Sequence, residues 1–251
     1  MKLSLVIPAY NESEGVQQTA VAVRKLLDYL SKSNDVELIF VNDGSKDNTE
    51  ALLKAEFEND PRVQVVSHEV NRGLGAAIRT GLKQAKGDIV VTTDFDGTYP
   101  LDTIPQLLAR MHVDNADIVT ASPYHPNGHV EGVPGYRLMF SFGASLLYRV
   151  LVSWKIHTWT ALYRGYRRRV VDTITFESND FLAGTEILVK AIQAGFSVTE
   201  FPTTLHVRTF GQSSIKIARV TRSHLKFQWR LLLQSLFGKP AFPAAPSVQE
   251  R

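Results

Sequence analysis

The first 121 residues alternate two hydrophobic periodicities, and this alternation constrains the fold more than any other feature of the sequence. Short apolar runs of strand length are separated by longer stretches whose apolar residues recur at helical spacing. Because parallel strands need a crossover connection, the pattern predicts an α/β chain with a mostly parallel sheet flanked by helices. The strand-length runs are Leu3–Pro8, Val36–Val41, Val63–Ser67, Asp88–Thr93 and Asp117–Ala121.

The second half of the chain has a different organisation. Residues 122–136 hold three Pro and three Gly, which predicts an exposed loop. Residues 138–154 form an apolar stretch with a single Arg, short of the roughly 20 residues that span a bilayer. A strand-like segment at 159–167 and a helix near Phe181–Ala194 follow. Residues 215–237 then combine basic and apolar faces at helical spacing.

Composition and charge exclude some classes of site and leave others open. The 251 residues include no Cys, which rules out a disulfide scaffold, a thiolate metal site and a Cys nucleophile. Residues 132–171 carry seven basic and no acidic side chains, and residues 204–251 carry eight and one. Such segments attract phosphate-bearing partners, whether nucleic acid, anionic lipid or a small phosphate ester. The first apolar run is too short for a signal-peptide core, so we expect a cytoplasmic chain.

The sharpest chemical feature is the pair Asp94 and Asp96, which follows an apolar strand directly and precedes Gly97. Substrate sites of parallel α/β sheets lie at the carboxyl ends of the strands. Two carboxylates one residue apart at such a position can hold a hard divalent cation, which prefers oxygen ligands and keeps phosphate oxygens in its shell. The alternative interpretation is a solvated turn.

Three other loops follow predicted strands. Asp43 is placed where it could bond to a base or a ribose, although a helix cap and turn is the simpler interpretation of that motif alone. Pro8 and Tyr10 could wall a flat nucleobase. Gly73 and Gly75 permit close backbone approach just before a helix N-terminus, a position that favours anions.

Taken in order, the segments VIPAYNES, VNDGSKDNT, NRGLGAAIRTGL and DFDGTYP resemble glycosyltransferase family 2 over nearly the whole chain. The resemblance implies the GT-A fold, a Rossmann-like, mostly parallel sheet flanked by helices, with a C-terminal extension on the acceptor side. It implies one domain at 1–214, with a donor half at 1–121 and an acceptor half at 122–214. A basic amphipathic helix at 215–237 and a flexible tail at 238–251 would follow.

Within that family the sequence resembles the dolichol-phosphate or polyprenyl-phosphate mannosyltransferases. This implies a metal-dependent, inverting transfer of mannose or glucose from a nucleotide-sugar such as GDP-mannose or UDP-glucose to a polyprenyl or dolichyl phosphate. Asp94 and Asp96 would hold Mg²⁺ or Mn²⁺ and act in catalysis. The other residues implied to bind the nucleotide-sugar are Pro8, Tyr10, Glu12, Val41, Asp43, Phe95 and Thr98, the last standing where the group has Gln.

The acceptor side resembles the group less closely. Arg137 and Ser141 keep the spacing R-x-x-x-S of the acceptor phosphate site. Arg208 and Ser213 keep most of the segment R-x-x-G-x-S-K, and Arg164 is retained from an altered D-x-T-S-G-F-R segment. The resemblance implies that these five residues bind the acceptor and that Arg137 and Arg208 also act in catalysis.

Two cations of that group are missing, since Pro123 stands where it has a loop Arg and Ser214 where it has a Lys. The nature of the acceptor decides which further residues the reaction needs. A phosphate monoester has a second pKa near 6 and is already ionised at neutral pH, whereas a sugar hydroxyl needs a positioned general base. If the acceptor is a saccharide or another hydroxyl, which is the second interpretation, Asp180 or Glu186 are the candidate bases.

Two interpretations from other classes are weaker. A nucleic-acid binder is suggested only by the basic segments, and the chain shows no nucleic-acid motif. A silent nucleotide-sugar binder is disfavoured by the intact Asp94 and Asp96. We interpret Arg167–Arg169 as a solvated or interfacial patch and His68 as an ordinary side chain. Residues 138–154 and 215–237 predict peripheral association with an anionic membrane surface, at the cytoplasmic face.

Overall fold

A computed structural model of the chain describes residues 1–208, 210 and 217–237, and in it the chain forms a seven-stranded sheet covered by helices. The strands of the described part are β1 (Lys2–Ala9), β2 (Asp35–Asn42), β3 (Val63–Ser67), β4 (Ile89–Thr92), β5 (Ile118–Ser122), β6 (His129–Glu131), β7 (Arg164–Arg167), β8 (Val198–Pro202) and β9 (Thr204–His206). The helices are α1 (Val16–Leu30), α2 (Thr49–Phe57), α3 (Leu74–Gln84), α4 (Ile104–Val113), α5 (Gly135–Leu151), α6 (Arg168–Thr173), α7 (Ala183–Gln193) and α8 (Ile217–Phe237). Short 3₁₀ turns occupy Ser13–Gly15 and Leu101–Thr103.

The strand order is β3-β2-β1-β4-β7-β5-β8, and every pairing is parallel except those of β7, which runs antiparallel between β4 and β5. A separate two-stranded ribbon pairs β6 with β9 in parallel. The α/β fold class expected from the alternating pattern is therefore confirmed. The five strands expected in the first 121 residues all form, and each boundary lies within one residue of its expected position.

The core explains why the strand sequences are continuous apolar runs. Both faces of β1 are covered, so seven of its eight residues are buried. One face packs on a cluster with α1, and the opposite face packs on α3. A second cluster joins α7 to the antiparallel strand and to the paired helices α5 and α8. Burial on two faces favours continuous hydrophobic runs over alternation.

The strand-like segment expected at 159–167 is only partly correct. The strand itself is limited to β7, and the residues before it pass under α7 without ladder pairing. The region 122–136, expected to be a loop, contains β6 and the first residues of α5. The helices expected near Phe181–Ala194 and at 215–237 form as α7 and α8. The expected tail at 238–251 lies outside the described residues.

The cluster Arg167–Arg169 lies at the surface, with 64% of the Arg169 side chain exposed, and its guanidinium groups also bind nearby loops. Arg167 donates from Nε to the Ala116 carbonyl at 2.9 Å, and Arg168 donates from Nε to the Gly87 carbonyl at the same distance. Arg169 donates to the buried carboxylate of Asp117 at 2.5 Å. These arginines hold the loops that lead into β4 and β5, because they donate to backbone carbonyls and to a carboxylate in those loops.

Two helices carry most of the exposed apolar side chains of the described residues. On α5 and just after it these are Met139, Phe140, Phe142, Leu146, Leu147, Val150 and Trp154, and on α8 they are Leu225, Trp229, Leu233, Leu236 and Phe237. The two helices pack against each other, so these side chains lie on neighbouring elements, and Phe140 of α5 and Leu225 of α8 line one shallow groove. No helix within the described ranges combines the length and the hydropathy that a membrane crossing requires.

Candidate active site

A cleft of about 1010 Å³ opens at the carboxyl ends of β1, β2 and β4, where the sequence places its polar motifs. It extends past the loop at 177–182 to the inner sides of α5 and α8. The structure brings most of the expected site residues to this cleft. Those that line it are Pro8, Tyr10, Glu12, Asp43, Asp94, Phe95, Asp96, Thr98, Ser141, Asp180, Glu186 and Arg208.

The carboxylate pair is fixed by the aromatic residue between its members. Phe95 is buried with its ring centroid 5.9 Å from that of Phe40, so it anchors the loop after β4 in the core. Asp94 and Asp96, on either side of it, line the cleft. Asp96 accepts hydrogen bonds through Oδ1 from the backbone N–H of Thr98 at 3.1 Å and from its hydroxyl. Thr98 thus orients the second carboxylate.

Arg208 joins this pair to the loop after β1. Its Nε donates to Oδ2 of Asp96 at 2.9 Å, and its Nη2 donates to Oε1 of Glu12 at 2.5 Å. The other Glu12 oxygen, Oε2, is buried and has no hydrogen-bond partner among the described residues. Arg208, which the sequence assigns to the acceptor, therefore also reaches the carboxylates expected to bind the donor.

The carboxylates outnumber the cation that neutralises them, and their pKa values reflect this. Burial raises the pKa of Glu12 to about 7 against the lowering effect of Arg208. Burial raises the pKa of Asp94 well above its usual range, and the charge of Asp96 beside it acts in the same direction. Additional positive charge at this point would favour the ionised carboxylates.

These features fit a divalent cation held by Asp94 and Asp96. The two carboxylates supply hard oxygen ligands, and the surplus negative charge together with the unpartnered Glu12 oxygen marks a position where positive charge is favoured. Within the described ranges no group of three or more His, Cys, Asp or Glu residues could hold a metal ion. Phosphate oxygens and water commonly complete the ligand shells of Mg²⁺ and Mn²⁺ that two carboxylates hold.

Asp43 holds the loop that follows β3. Its Oδ1 lies 2.7 Å from Nδ1 of His68 and accepts the N–H of Arg72 at 2.9 Å. Its Oδ2 accepts from Nδ2 of Asn71 at 2.9 Å and from the N–H of Gly73 at 2.8 Å. The carboxylate is buried, and protein donors occupy both of its oxygens. Its primary structural effect is to fix the wall of the cleft.

The sequence interpretation treats His68 as an ordinary surface or core side chain, and the structure places it in the core beside Asp43. It is buried between Asp43 and Thr80, whose Oγ1 lies 2.8 Å from its Nε2. Its position one residue after β3 is the signal that could have indicated a role at this sheet edge. Gly73 and Gly75 allow close packing of two loops. A Cβ on Gly73 would collide with the backbone of Asn179, and a Cβ on Gly75 would collide with that of Ser178. Gly73 also has a φ of 97°.

The expectation that Arg164 binds the acceptor is wrong, because its side chain does not reach the cleft. Its side chain is completely buried, and its Nε donates to Oγ1 of Thr120 at 2.9 Å. Its two terminal nitrogens donate to the carbonyls of Trp159, at 2.5 Å, and Gly184. All sides of the guanidinium are engaged by the protein, so Arg164 is a structural residue that ties β7 to β5 and α7.

Val41 and Glu186 are two further expected site residues whose side chains are engaged within the protein. Val41 is fully buried in β2 and packs in the core, so its side chain does not contact a nucleotide. Glu186 lines the cleft but is fully used: it accepts from the N–H groups of Glu177 and Ser178 and pairs with Lys190 at 2.7 Å. These bonds hold the pKa of Glu186 below its usual value despite burial, which makes it a poor base.

The remaining acceptor-side residues differ in what the structure shows of them. Ser141 lines the cleft, and its hydroxyl is 2.7 Å from that of Thr160. Asp180 also lines it and accepts from the hydroxyl of Ser223 at 2.6 Å. Arg137 lies in the first turns of α5. Ser213 falls outside the described residues.

With this geometry in place, comparison with known proteins decides the family. The family model described as Glycosyl transferase family 2 matches residues 4–175, which include most of β1, all of β2 to β7 and the carboxylate pair. The chain belongs to glycosyl transferase family 2. It is 30% identical to a dolichol-phosphate mannosyltransferase of Pyrococcus furiosus over 92% of this chain, and it spans 64% of that relative's length.

Other relatives of this family 2 glycosyltransferase are matched over more of their length. A polyprenol monophosphomannose synthase of Mycolicibacterium smegmatis is 32% identical over 88% of this chain and 84% of its own. An undecaprenyl-phosphate mannosyltransferase of Micrococcus luteus is 29% identical over 91% and 96%. The crystal structure of glucosyl-3-phosphoglycerate synthase from Mycobacterium tuberculosis with Mn²⁺, UDP and glucosyl-3-phosphoglycerate has a TM-score of 0.66 at 21% identity, covering 95% of this chain and 81% of that one. That likeness confirms the GT-A fold.

Proposed function

We propose that this glycosyltransferase moves a hexosyl group, mannose or glucose, from a nucleotide-sugar to the phosphate of a polyprenyl or dolichyl phosphate. One observation carries the proposal: a single cleft runs from the carboxylate pair after β4 to the inner sides of the two helices that carry the exposed apolar surface. A donor diphosphate and a lipid-linked acceptor can meet in such a cleft. The named relatives that act on lipid phosphates support the same substrates.

On the donor side, Pro8 and Tyr10 line the end of the cleft that would receive the base of GDP-mannose or UDP-glucose. Hydrogen bonds between neighbouring loops fix this wall. The N–H of Asn11 donates to the hydroxyl of Ser45 at 2.9 Å, and Oδ1 of Asn11 accepts the N–H of Lys46 at 2.8 Å. The network around Asp43 fixes the facing wall, so the nucleotide would meet a preformed surface.

Asp94 and Asp96 would hold Mg²⁺ or Mn²⁺, and such a cation would stabilise the charge that develops on the departing nucleoside diphosphate. An oxygen of the acceptor phosphate attacks the anomeric carbon of the sugar, the bond from that carbon to the diphosphate oxygen breaks, and the configuration at the carbon inverts. The attacking oxygen is already ionised at neutral pH, so no protein base is needed. This agrees with the position of Glu186, whose two carboxylate oxygens already accept hydrogen bonds from the protein.

The acceptor's hydrocarbon chain requires an apolar surface beside the cleft. The exposed side chains of α5 and α8 provide one, with Trp154 and Trp229 among them. Aromatic residues of this kind sit well at a membrane interface. We infer that this surface rests on an anionic membrane and that the protein acts there as a peripheral enzyme at the cytoplasmic face.

The decisive experiment measures transfer from GDP-mannose and UDP-glucose to undecaprenyl phosphate and, in parallel, to undecaprenol. Transfer to the phosphate with Mg²⁺ or Mn²⁺, and none to the alcohol, is the expected result. Transfer to hydroxyl acceptors alone would overturn the lipid-phosphate proposal and move attention to Asp180, which lines the acceptor part of the cleft.

A further inference from the structure

One face of α8 presents three cations to the cleft. Arg219, Lys226 and Arg230 line it together with Ser223. Successive members are three or four residues apart, so they form one stripe along the helix. At 1.5 Å per residue this stripe runs roughly 16 Å along the cleft wall. Among the described residues, none of the three cations forms an ion pair.

The orientation of the stripe is fixed by contacts on the adjoining faces of α8. Ser223 donates its hydroxyl to Asp180 at 2.6 Å, which ties the stripe to the loop at 177–182. Nδ1 of the buried His224 lies 3.0 Å from the hydroxyl of Tyr148 on α5. Gln228 donates to the Ala144 carbonyl, also on α5, at 3.2 Å. The cations are therefore held toward the cleft by the packing of the helix.

Two of the other cations that the sequence assigns to the acceptor are already engaged. Arg208 is bound to Glu12 and Asp96, and Arg164 is buried with its donors used. A phosphate dianion in this part of the cleft needs compensating charge, because a desolvated anion without a partner is costly. The stripe supplies cations that form no ion pair among the described residues. The chain also has Pro123 and Ser214 at two positions where the group that it resembles has cations.

We infer that Arg219, Lys226 and Arg230 position the phosphate of the acceptor lipid. Lys226 and Arg230 lie one turn apart, so their long side chains can contact one phosphate, and Arg219 extends the positive potential along the path into the cleft. The same helix carries exposed Leu225 and Trp229 on its neighbouring face, where the hydrocarbon chain would leave the cleft. This inference rests on the proposed function and adds the residues that bind the acceptor head group.

The test uses the full chain, farnesyl phosphate in a non-ionic detergent, and the donor that the wild type accepts. Replacement of Lys226 or Arg230 by Ala should raise the KM for farnesyl phosphate about tenfold, the loss typical of one charge-assisted hydrogen bond, with kcat and the donor KM within about twofold. Arg219→Ala should raise the same KM by a smaller factor, because Arg219 contributes potential and not a direct contact. Lys226→Arg should retain the wild-type KM. Arg222→Ala is the matched control, since Arg222 is a neighbouring exposed cation of α8 that does not line the cleft.

A binding measurement separates this inference from the proposed function. Tryptophan fluorescence should show the wild type binding farnesyl phosphate more tightly than farnesol, and the triple Ala variant should lose that preference. An unchanged preference in the triple variant would overturn the inference, whether or not the wild type transfers sugar. An effect seen only with anionic vesicles, and absent with farnesyl phosphate, would assign the stripe to the bilayer and also overturn it. Failure of the wild type to glycosylate any lipid phosphate would overturn the proposed function alone.

Discussion

Arg208 donates a hydrogen bond from Nε to Oδ2 of Asp96 across 2.9 Å. The two residues are 112 positions apart, and the sequence assigns one to the acceptor and the other to the metal. Their contact means that the segment after β9 closes on the carboxylate pair. A cation bound at Asp96 would share this carboxylate with Arg208, so the charge of Arg208 would influence how tightly that cation binds.

Asp96→Asn is expected to reduce transfer at least about a hundredfold, because it removes one of two carboxylate ligands and with it most leaving-group stabilisation. Initial rates over a Mg²⁺ and Mn²⁺ titration, with circular dichroism as the check on folding, measure this effect. Asp102→Asn is the control, since Asp102 is an exposed carboxylate six residues further along. Full turnover of Asp96→Asn at saturating metal would exclude the donor-site assignment.

Asp43→Ala is expected to raise the donor KM and also to lower the free energy of unfolding by about 1–3 kcal/mol, because donors of Asn71, Arg72 and Gly73 lose a buried, charged acceptor. His68→Ala should act in the same direction through Asp43, with a smaller change in donor KM. Urea denaturation and donor kinetics on the same preparations give both quantities. A raised donor KM without any loss of stability would instead indicate that Asp43 serves only as a ligand.

The raised pKa of Glu12 predicts how stability of the metal-free protein depends on pH. Its pKa rises from the usual 4.5 to about 7, so the folded state binds the proton more tightly than the unfolded state between these values. The free energy of unfolding should therefore fall as pH rises through this window, by about 1–3 kcal/mol from this group. Urea denaturation in EDTA from pH 5 to 8 should show a shallower fall in Glu12→Gln, while Glu14→Gln, an exposed neighbour, should match the wild type.

Arg164→Met is expected to cost about 3–5 kcal/mol of stability, because it removes three buried hydrogen bonds, to Oγ1 of Thr120 and to the carbonyls of Trp159 and Gly184. Arg164→Lys should also be destabilised, since an ammonium does not reproduce the three separate directions of the guanidinium bonds. In the folded fraction of the Lys variant the acceptor KM should equal that of the wild type. A raised acceptor KM at unchanged thermal stability would restore Arg164 to the acceptor site.

Trp229→Gln is expected to weaken sedimentation with anionic vesicles several-fold, because an exposed aromatic side chain of α8 no longer enters the interface. Wild-type binding itself should fall as salt rises, since basic segments contribute to it. Tyr29→Gln is the matched control: Tyr29 is similarly exposed but lies on α1, away from the apolar surface. Equal losses in the two variants would contradict docking through α5 and α8.

The sequence by itself determined the strands of the parallel sheet and the position of the carboxylate pair. Continuous apolar runs bounded by Pro, Gly and Asp define strands locally, and the loop after each strand falls at the same sheet edge for any parallel connection. The antiparallel strand β7 was harder to place. The apolar and aromatic residues of this segment begin before the strand, because Trp159 and Tyr163 fill the core beside it.

Only the tertiary structure decided which charged residues face the cleft. Arg164 and Arg208 are both retained from family motifs, yet one is sealed in the core and the other meets Glu12, 196 positions away. The same holds for Asp43, whose partners lie on a loop 28 to 30 residues further along, and for the stripe on α8, whose direction depends on packing against α5. Burial and ion pairing arise from contacts between segments distant in the chain, so local pattern carries no information on them.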